Sequence, residues 1–148
     1  MRALFVVMLS VVVMTMLAQA PTVAVIDISA EDAIYEDVSR KLAQSLSEAL
    51  TKDGVTAVRV EEAELPPEGC RLGPCLGVVA RAKEAKAVVT LDAEELSTTK
   101  TRVVVTMMRA TNGEPLAGGR YELKAGAKKV PAGLTKFLEA AKKAATKL

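Results

Sequence analysis

The run Thr22-Val23-Ala24-Val25-Ile26-Asp27-Ile28 constrains the fold of this chain more than any other feature. It is apolar and rich in β-branched residues, without the alternation of a half-exposed strand, so both faces of the predicted strand must be covered. Strands of that kind belong to parallel sheets flanked by helices. The next segment supplies such a helix. Ser29 predicts an N-cap, with Asp32 three residues on as in a capping box. Ile34, Val38, Leu42, Leu46, Ala49 and Leu50 then recur at three- and four-residue intervals, while Lys41, Ser45, Ser47 and Glu48 lie off that stripe. Gly54 predicts a left-handed cap that ends the helix.

A second strand follows at 55–60 and fades into Glu61-Glu62-Ala63-Glu64. Leu65-Pro66-Pro67-Glu68-Gly69 can continue neither strand nor helix, because prolines remove donors and fix φ. Pro74 suits the first turn of a second helix, carried by Leu76, Val78, Val79 and Ala82 to about residue 86. Residues 87–91 resume a buried strand, extended by 92–96. Ser97-Thr98-Thr99-Lys100 predicts a turn into a strand at 101–110, with Val103, Val105 and Met107 on one face and Val104, Thr106 and Met108 on the other. Thr111-Asn112-Gly113-Glu114 carries the Asn-Gly hairpin signal, since both residues tolerate positive φ. A last strand at 116–123 is expected to bulge at Gly118-Gly119. A final helix runs from 131 to near 148, with Leu134, Phe137, Leu138, Ala141 and Ala145 on its buried side. The order is βαβαβββα. Two helical crossovers make the first three strands parallel, and two hairpins add an antiparallel fourth strand and a fifth. The expectation is one α/β domain over residues 21–148, built on a mixed five-stranded sheet.

Residues 1–20 read differently. Arg2 is followed by an almost uninterrupted apolar run at 4–17 and by Ala18-Gln19-Ala20, whose small residues suit a signal peptidase. The expectation is a signal peptide cleaved after Ala20, over an uncleaved anchor, and a periplasmic or secreted mature protein without stable membrane insertion. Removal of that segment leaves 19 basic against 18 acidic residues, and Tyr35, Tyr121 and Phe137 as the aromatics. A balanced charge and so few rings argue against a nucleic-acid surface. The absence of His removes the commonest general base and zinc ligand.

In an oxidising compartment Cys70 and Cys75, with four residues between them in a Pro/Gly-bent loop, are expected to pair as a structural disulfide. A redox-active dithiol and free thiols are the alternatives, and the spacing matches a catalytic dithiol poorly. Asp27 ends the first strand, where α/β proteins often place ligand-binding groups, with Glu31 and Asp32 near in sequence. The simpler role for Asp27 is to cap the loop before Ser29. Glu61, Glu62, Glu64 and Glu68 do not have the spacing of a calcium loop. Lys124, Lys128, Lys129, Lys136, Lys142, Lys143 and Lys147 make the tail basic, most simply as a solvated helix face, with attraction to an anionic surface as the alternative. No phosphate-binding loop and no nucleophile elbow occurs. No catalytic, cofactor-binding or metal-binding residue is assigned, and no cofactor.

The opening Val23-Ala24-Val25-Ile26-Asp27 run after a signal, the long first helix, and Cys70 with Cys75-Leu76 leading into the second helix form a familiar arrangement. Ala85-Lys86-Ala87-Val88-Val89 and the hairpin Arg109-Ala110-Thr111-Asn112-Gly113-Glu114-Pro115-Leu116 extend it over nearly all of residues 21–148. The chain resembles the amino-terminal, anticodon-binding-like α/β domain of the TolB type and related CsgG-like envelope proteins. In such domains the hairpin commonly reads Asp-x-x-Thr-Gly-Glu. Here Asn112 stands where Thr would, and no Asp precedes it. The β-propeller of TolB, and the pore strands and lipidated Cys of CsgG-like assemblies, have no counterpart in this sequence. The resemblance implies a three-layer domain with strand order 2-1-3-4-5 and strand 4 antiparallel. It also implies a non-enzymatic envelope domain that binds protein. The expected partner is an envelope protein, accepted as an added strand at a sheet edge. The alternative expectation is a small-ligand or divalent-metal binding envelope protein using the acidic residues near the end of the first strand.

Overall fold

Val23, Ala24, Val25 and Ile26 are all buried in the computed structural model of the chain, which describes residues 22–29, 36–66, 70, 73–124 and 134–148. The expected signal peptide at 1–20, Glu31, Asp32, Ile34, Glu68, Lys128, Lys129 and the expected start of the last helix at 131 lie outside the described residues. The elements are β1 (Thr22–Asp27), α1 (Glu36–Lys52), β2 (Thr56–Val60), a 3-10 turn (Glu62–Glu64), α2 (Gly73–Ala82), β3 (Ala87–Ser97), β4 (Lys100–Arg109), β5 (Pro115–Lys124) and α3 (Thr135–Ala145). They form one five-stranded sheet of order β2-β1-β3-β4-β5. β1 runs parallel to β2 and β3, and β4 runs antiparallel to β3 and β5. Fold class and strand directions are those the sequence predicts, and the order is the one the resemblance implies.

Burial of β1 on both faces follows from where the helices sit. Val23 and Val25 join Leu42, Leu46 and Leu50 of α1, Phe137 and Ala141 of α3, and Val103, Val105 and Met107 of β4 in one cluster. Ala24 and Ile26 point the other way, to Leu76, Val79 and Ala80 of α2, with Val60, Cys70, Val88 and Ala110. The result is three layers, with α1 and α3 on one face and α2 on the other. Phe137 is the largest fully buried side chain, and burying such a side chain is worth about 3 kcal/mol.

Three local expectations are corrected. α2 ends at Ala82 rather than near residue 86, because Glu84 takes a left-handed conformation at φ 58°. The Ala85 N–H reaches the Ala80 carbonyl at 3.0 Å and the Glu84 N–H reaches that of Arg81 at 2.9 Å. This is a Schellman cap with glutamate where glycine is usual. Gly54 closes α1 with the same pair of bonds, Val55 to Leu50 and Gly54 to Thr51.

The bulge in β5 is displaced. Met107 pairs with Ala117 and Met108 with Pro115, so Leu116 is the extra residue, while Gly118 and Gly119 stay in register with Thr106 and Val105. Gly119 serves instead to admit the Tyr121 ring, whose hydroxyl would lie 2.2 Å from a β-carbon there.

In the loop from β4 to β5, Gly113 alone takes positive φ, at 71°. Asn112 contributes its side chain, whose Oδ1 accepts the Glu114 N–H at 3.0 Å. The Ser29 hydroxyl accepts the Ala93 N–H at 2.7 Å, which joins β1's exit to β3; the N-cap expected of it concerns residues that lie outside the described ones.

Candidate functional site

At the carboxyl end of β1, pairing with β3 continues past the strand, since the Ile28 N–H donates to the Leu91 carbonyl at 2.9 Å. The Asp27 Oδ1 accepts the Ser29 N–H at 3.0 Å, the capping role the sequence suggests. Ser29 in turn holds Ala93. Open α/β sheets commonly bind ligands at this crevice. Here Asp27 and Ser29 spend these polar atoms on the chain itself.

The acidic stretch after β2 is also internally engaged. Lys83 donates to the Glu64 carboxylate, and the Glu61 N–H donates to Glu64 Oε2 at 2.9 Å. The Lys83 bond, then the Glu61 amide, hold the Glu64 carboxyl below its ordinary pKa. Arg59 lies 3.9 Å from the Glu61 carboxylate. Among the described residues, no three His, Cys, Asp or Glu are grouped so as to hold a metal ion.

Cys70 and Cys75 are joined by a disulfide, with Cα atoms 5.7 Å apart. Cys70 is buried in the α2-side cluster, and Cys75 lies in the first turn of α2. The bridge therefore ties the chain leaving the 3-10 turn to the helix that follows. On α3 and just past its end, Lys136, Lys142, Lys143 and Lys147 all face solvent.

Among the described residues, the outer strands of the sheet are β2 and β5. β5 carries features that blunt an edge: Pro115 at its start, the bulge at Leu116, and exposed Arg120, Glu122 and Lys124. β2 is short, and its sequence Thr-Ala-Val-Arg-Val has no proline and a single charge. Beside it runs an open groove of about 550 Å³, lined by Gln44, Ser47, Glu48 and Thr51 of α1 and by Ala57 and Arg59 of β2. Gln44 donates to Glu48 at 2.9 Å across its wall. Ser47, which the helical pattern places off the apolar stripe, is only 7% exposed, and its hydroxyl has no hydrogen-bond partner. Ser47 is four residues from Ala43 and three from Leu50, both buried, so it closes one flank of the covered face.

No protein-family model matches the chain, and no curated protein matches it in sequence. Solved structures do match its fold. A PelC dodecamer from Paraburkholderia phytofirmans superposes with a TM-score of 0.54 and 17% identity, over 87% of this chain and 89% of that one. The C-terminal domain of LpoB from Salmonella enterica gives 0.52 and 15%, over 71% and 84%. Lipoprotein GNA1162 from Neisseria meningitidis gives 0.51 and 17%, over 81% and 91%. At these identities the likeness is one of fold. TolB from Acinetobacter baumannii is looser, with a TM-score of 0.46 and 16% identity over 88% of this chain and 29% of its own. Among the described residues, no helix is long and apolar enough to cross a membrane.

Proposed function

We propose that residues 21–148 form a non-enzymatic protein-interaction module of the cell envelope, periplasmic or secreted, which receives an extended segment of a partner at a sheet edge. The observation that carries this reading is β2, an outer strand with few blunting devices and an open groove beside it. The apolar run at 4–17 followed by Ala18-Gln19-Ala20 supports export, and a fold shared with a protein named as a lipoprotein supports the envelope. The relation to the TolB amino-terminal domain and to CsgG-like proteins rests on the sequence resemblance.

Affinity purification of a carboxyl-terminally tagged chain from its own envelope, after mild cross-linking, tests the proposal. A stoichiometric envelope protein in the eluate, with the tagged chain starting at Pro21, is the expected result. A bare monomer overturns it. A ligand or divalent-ion site at Asp27 is disfavoured because Asp27 and Ser29 already serve the chain. A melting temperature raised several degrees by divalent ions, and not in Asp27→Ala, would restore that alternative.

A further inference from the structure

β1 begins at Thr22, and only residues 18–21 separate it from the apolar run at 4–17. As cleaved signal or as anchor, that run sets the Thr22 end of the domain beside the bilayer during export. The topology brings the carboxyl ends of the helices to the same place. α1 passes through Gly54 into β2, whose Thr56 lies opposite Thr22. α2 passes through its cap to Lys86, whose N–H donates to the Thr22 carbonyl at 2.9 Å. α3 leads to Leu148, whose carbonyl oxygen accepts from Lys86 Nζ at 3.4 Å. Exposed at this end are Lys52, Lys86, Lys142, Lys143 and Lys147. Lys83 and Arg109, also here, are matched by Glu64 and Glu114. Among the described residues, the acids set against the exposed lysines are Asp53 and Glu84. At the far end of the sheet charges are cross-paired instead, Lys100 with Glu122 at 3.8 Å and Arg102 with Glu94 at 3.4 Å. The helix macrodipole favours a cation in a last turn, which covers Lys52, Lys142 and Lys143. Lys86 belongs to no helix and extends the patch beyond what that explains.

We propose that this end of the domain is a docking face for an anionic phospholipid surface, with Lys52, Lys86, Lys142, Lys143 and Lys147 at the headgroup phosphates and nothing inserted. Two observations select a membrane over a soluble polyanion: the patch surrounds the point where the chain enters the domain, and the sequence just before that point is apolar. Each ammonium brings three donors and a point charge, suited to mobile phosphates rather than to one fixed ligand. Near such a surface each lysine strengthens partition about fivefold, and salt screens the attraction. Seated this way, the parallel strands point away from the bilayer, and β2 and β5 stay open to a partner. The face is thus a second surface of the proposed module and does not depend on strand addition.

The test is co-sedimentation of the secreted chain with vesicles of phosphatidylglycerol and phosphatidylcholine in equal parts, and with phosphatidylcholine alone. The expected result is binding to the anionic vesicles at low ionic strength, none to the neutral ones, and release by about 0.5 M salt. Lys143→Glu with Lys147→Glu is expected to weaken partition about a hundredfold or more, with an unchanged melting temperature because both side chains are exposed. Lys100→Glu with Lys124→Glu carries the same net charge at the far end and is expected to keep binding within a few-fold. Equal loss in the two variants overturns the docking face, since net charge alone then governs binding. No binding to anionic vesicles, or equal binding to neutral ones, overturns the proposal outright. Displacement from the vesicles by soluble polyglutamate at matched charge overturns the membrane as occupant. None of these outcomes touches co-purification of an envelope protein, so the interaction reading stands or falls separately.

Discussion

Gly77 of α2 lies so close to the backbone of Ala110 that a β-carbon on Gly77 would sit 2.5 Å from the Ala110 carbonyl oxygen. The same oxygen accepts a hydrogen bond from Arg81 Nη1 at 2.6 Å. Helix and hairpin entrance are thus in backbone contact, one helical turn from a side-chain tether. Gly77→Ala gains up to about 1 kcal/mol of helix propensity and loses about 1–3 kcal/mol to overpacking against backbone that has little room to yield. The expected outcome is a net loss of about 1 kcal/mol, read as a lower melting temperature and a lower urea midpoint.

The two Schellman caps predict opposite responses to exchange of the same residue types. Gly54 holds φ 86° and meets nothing within 4 Å, so Gly54→Ala costs about 1 kcal/mol through backbone conformation alone. Glu84 holds φ 58° with a side chain that strains it, so Glu84→Gly stabilises by several tenths to about 1 kcal/mol. Chemical denaturation of the two variants beside the parent checks both signs.

Reduction of Cys70–Cys75, or the double change to serine, is expected to cost about 2 kcal/mol, because the bridge closes a short loop. The buried position of Cys70 adds a packing loss when it becomes serine. Urea midpoints with and without reductant measure the first effect, and the variant measures the sum.

Glu64 titrates below its ordinary value of 4.5, with the Lys83 hydrogen bond as the main cause and the Glu61 amide next. A depressed folded-state pKa stabilises the fold above the unfolded value, and that contribution is lost as pH falls through the lowered one. Carbon-detected NMR titration of the Glu64 carboxyl is expected to show the low value. In Lys83→Met it should move up toward 4.5. No movement would show that Lys83 does not hold it.

Much of this fold is written locally. The unbroken β1 run announces a strand covered on both faces, and the α1 stripe of Leu42, Leu46 and Leu50 announces the helix that covers one of them. The features that the sequence conceals depend on how residues pack rather than on residue type alone. Glu84 ends α2 although nothing near it resembles a helix stop, because the cap is completed by Ala85 packing back on Ala80. Gly118-Gly119 suggests a bulge, but the Tyr121 ring is what Gly119 serves. The groove beside β2 is legible in no single segment. It is the space left between one flank of α1 and an outer strand, and Ser47 reads as exposed only by its polar side chain, since its spacing from Ala43 and Leu50 sets it beside the buried stripe.

β3 sits at the seam between two kinds of pairing, parallel to β1 on one side and antiparallel to β4 on the other. The consequence is one of timing. β3, β4 and β5 are joined by tight connections, so their ladders close short loops at small entropic loss, whereas β1 meets β3 only across some sixty residues that include two helices. The meander is therefore expected to zip first and the amino-terminal strands to dock onto it afterwards. Pulse-labelled hydrogen exchange during refolding should protect amides of β4 before those of β2. While that delay lasts, the flank of β3 reserved for β1 is an open template, and a chain arrested there is the form most exposed to self-association.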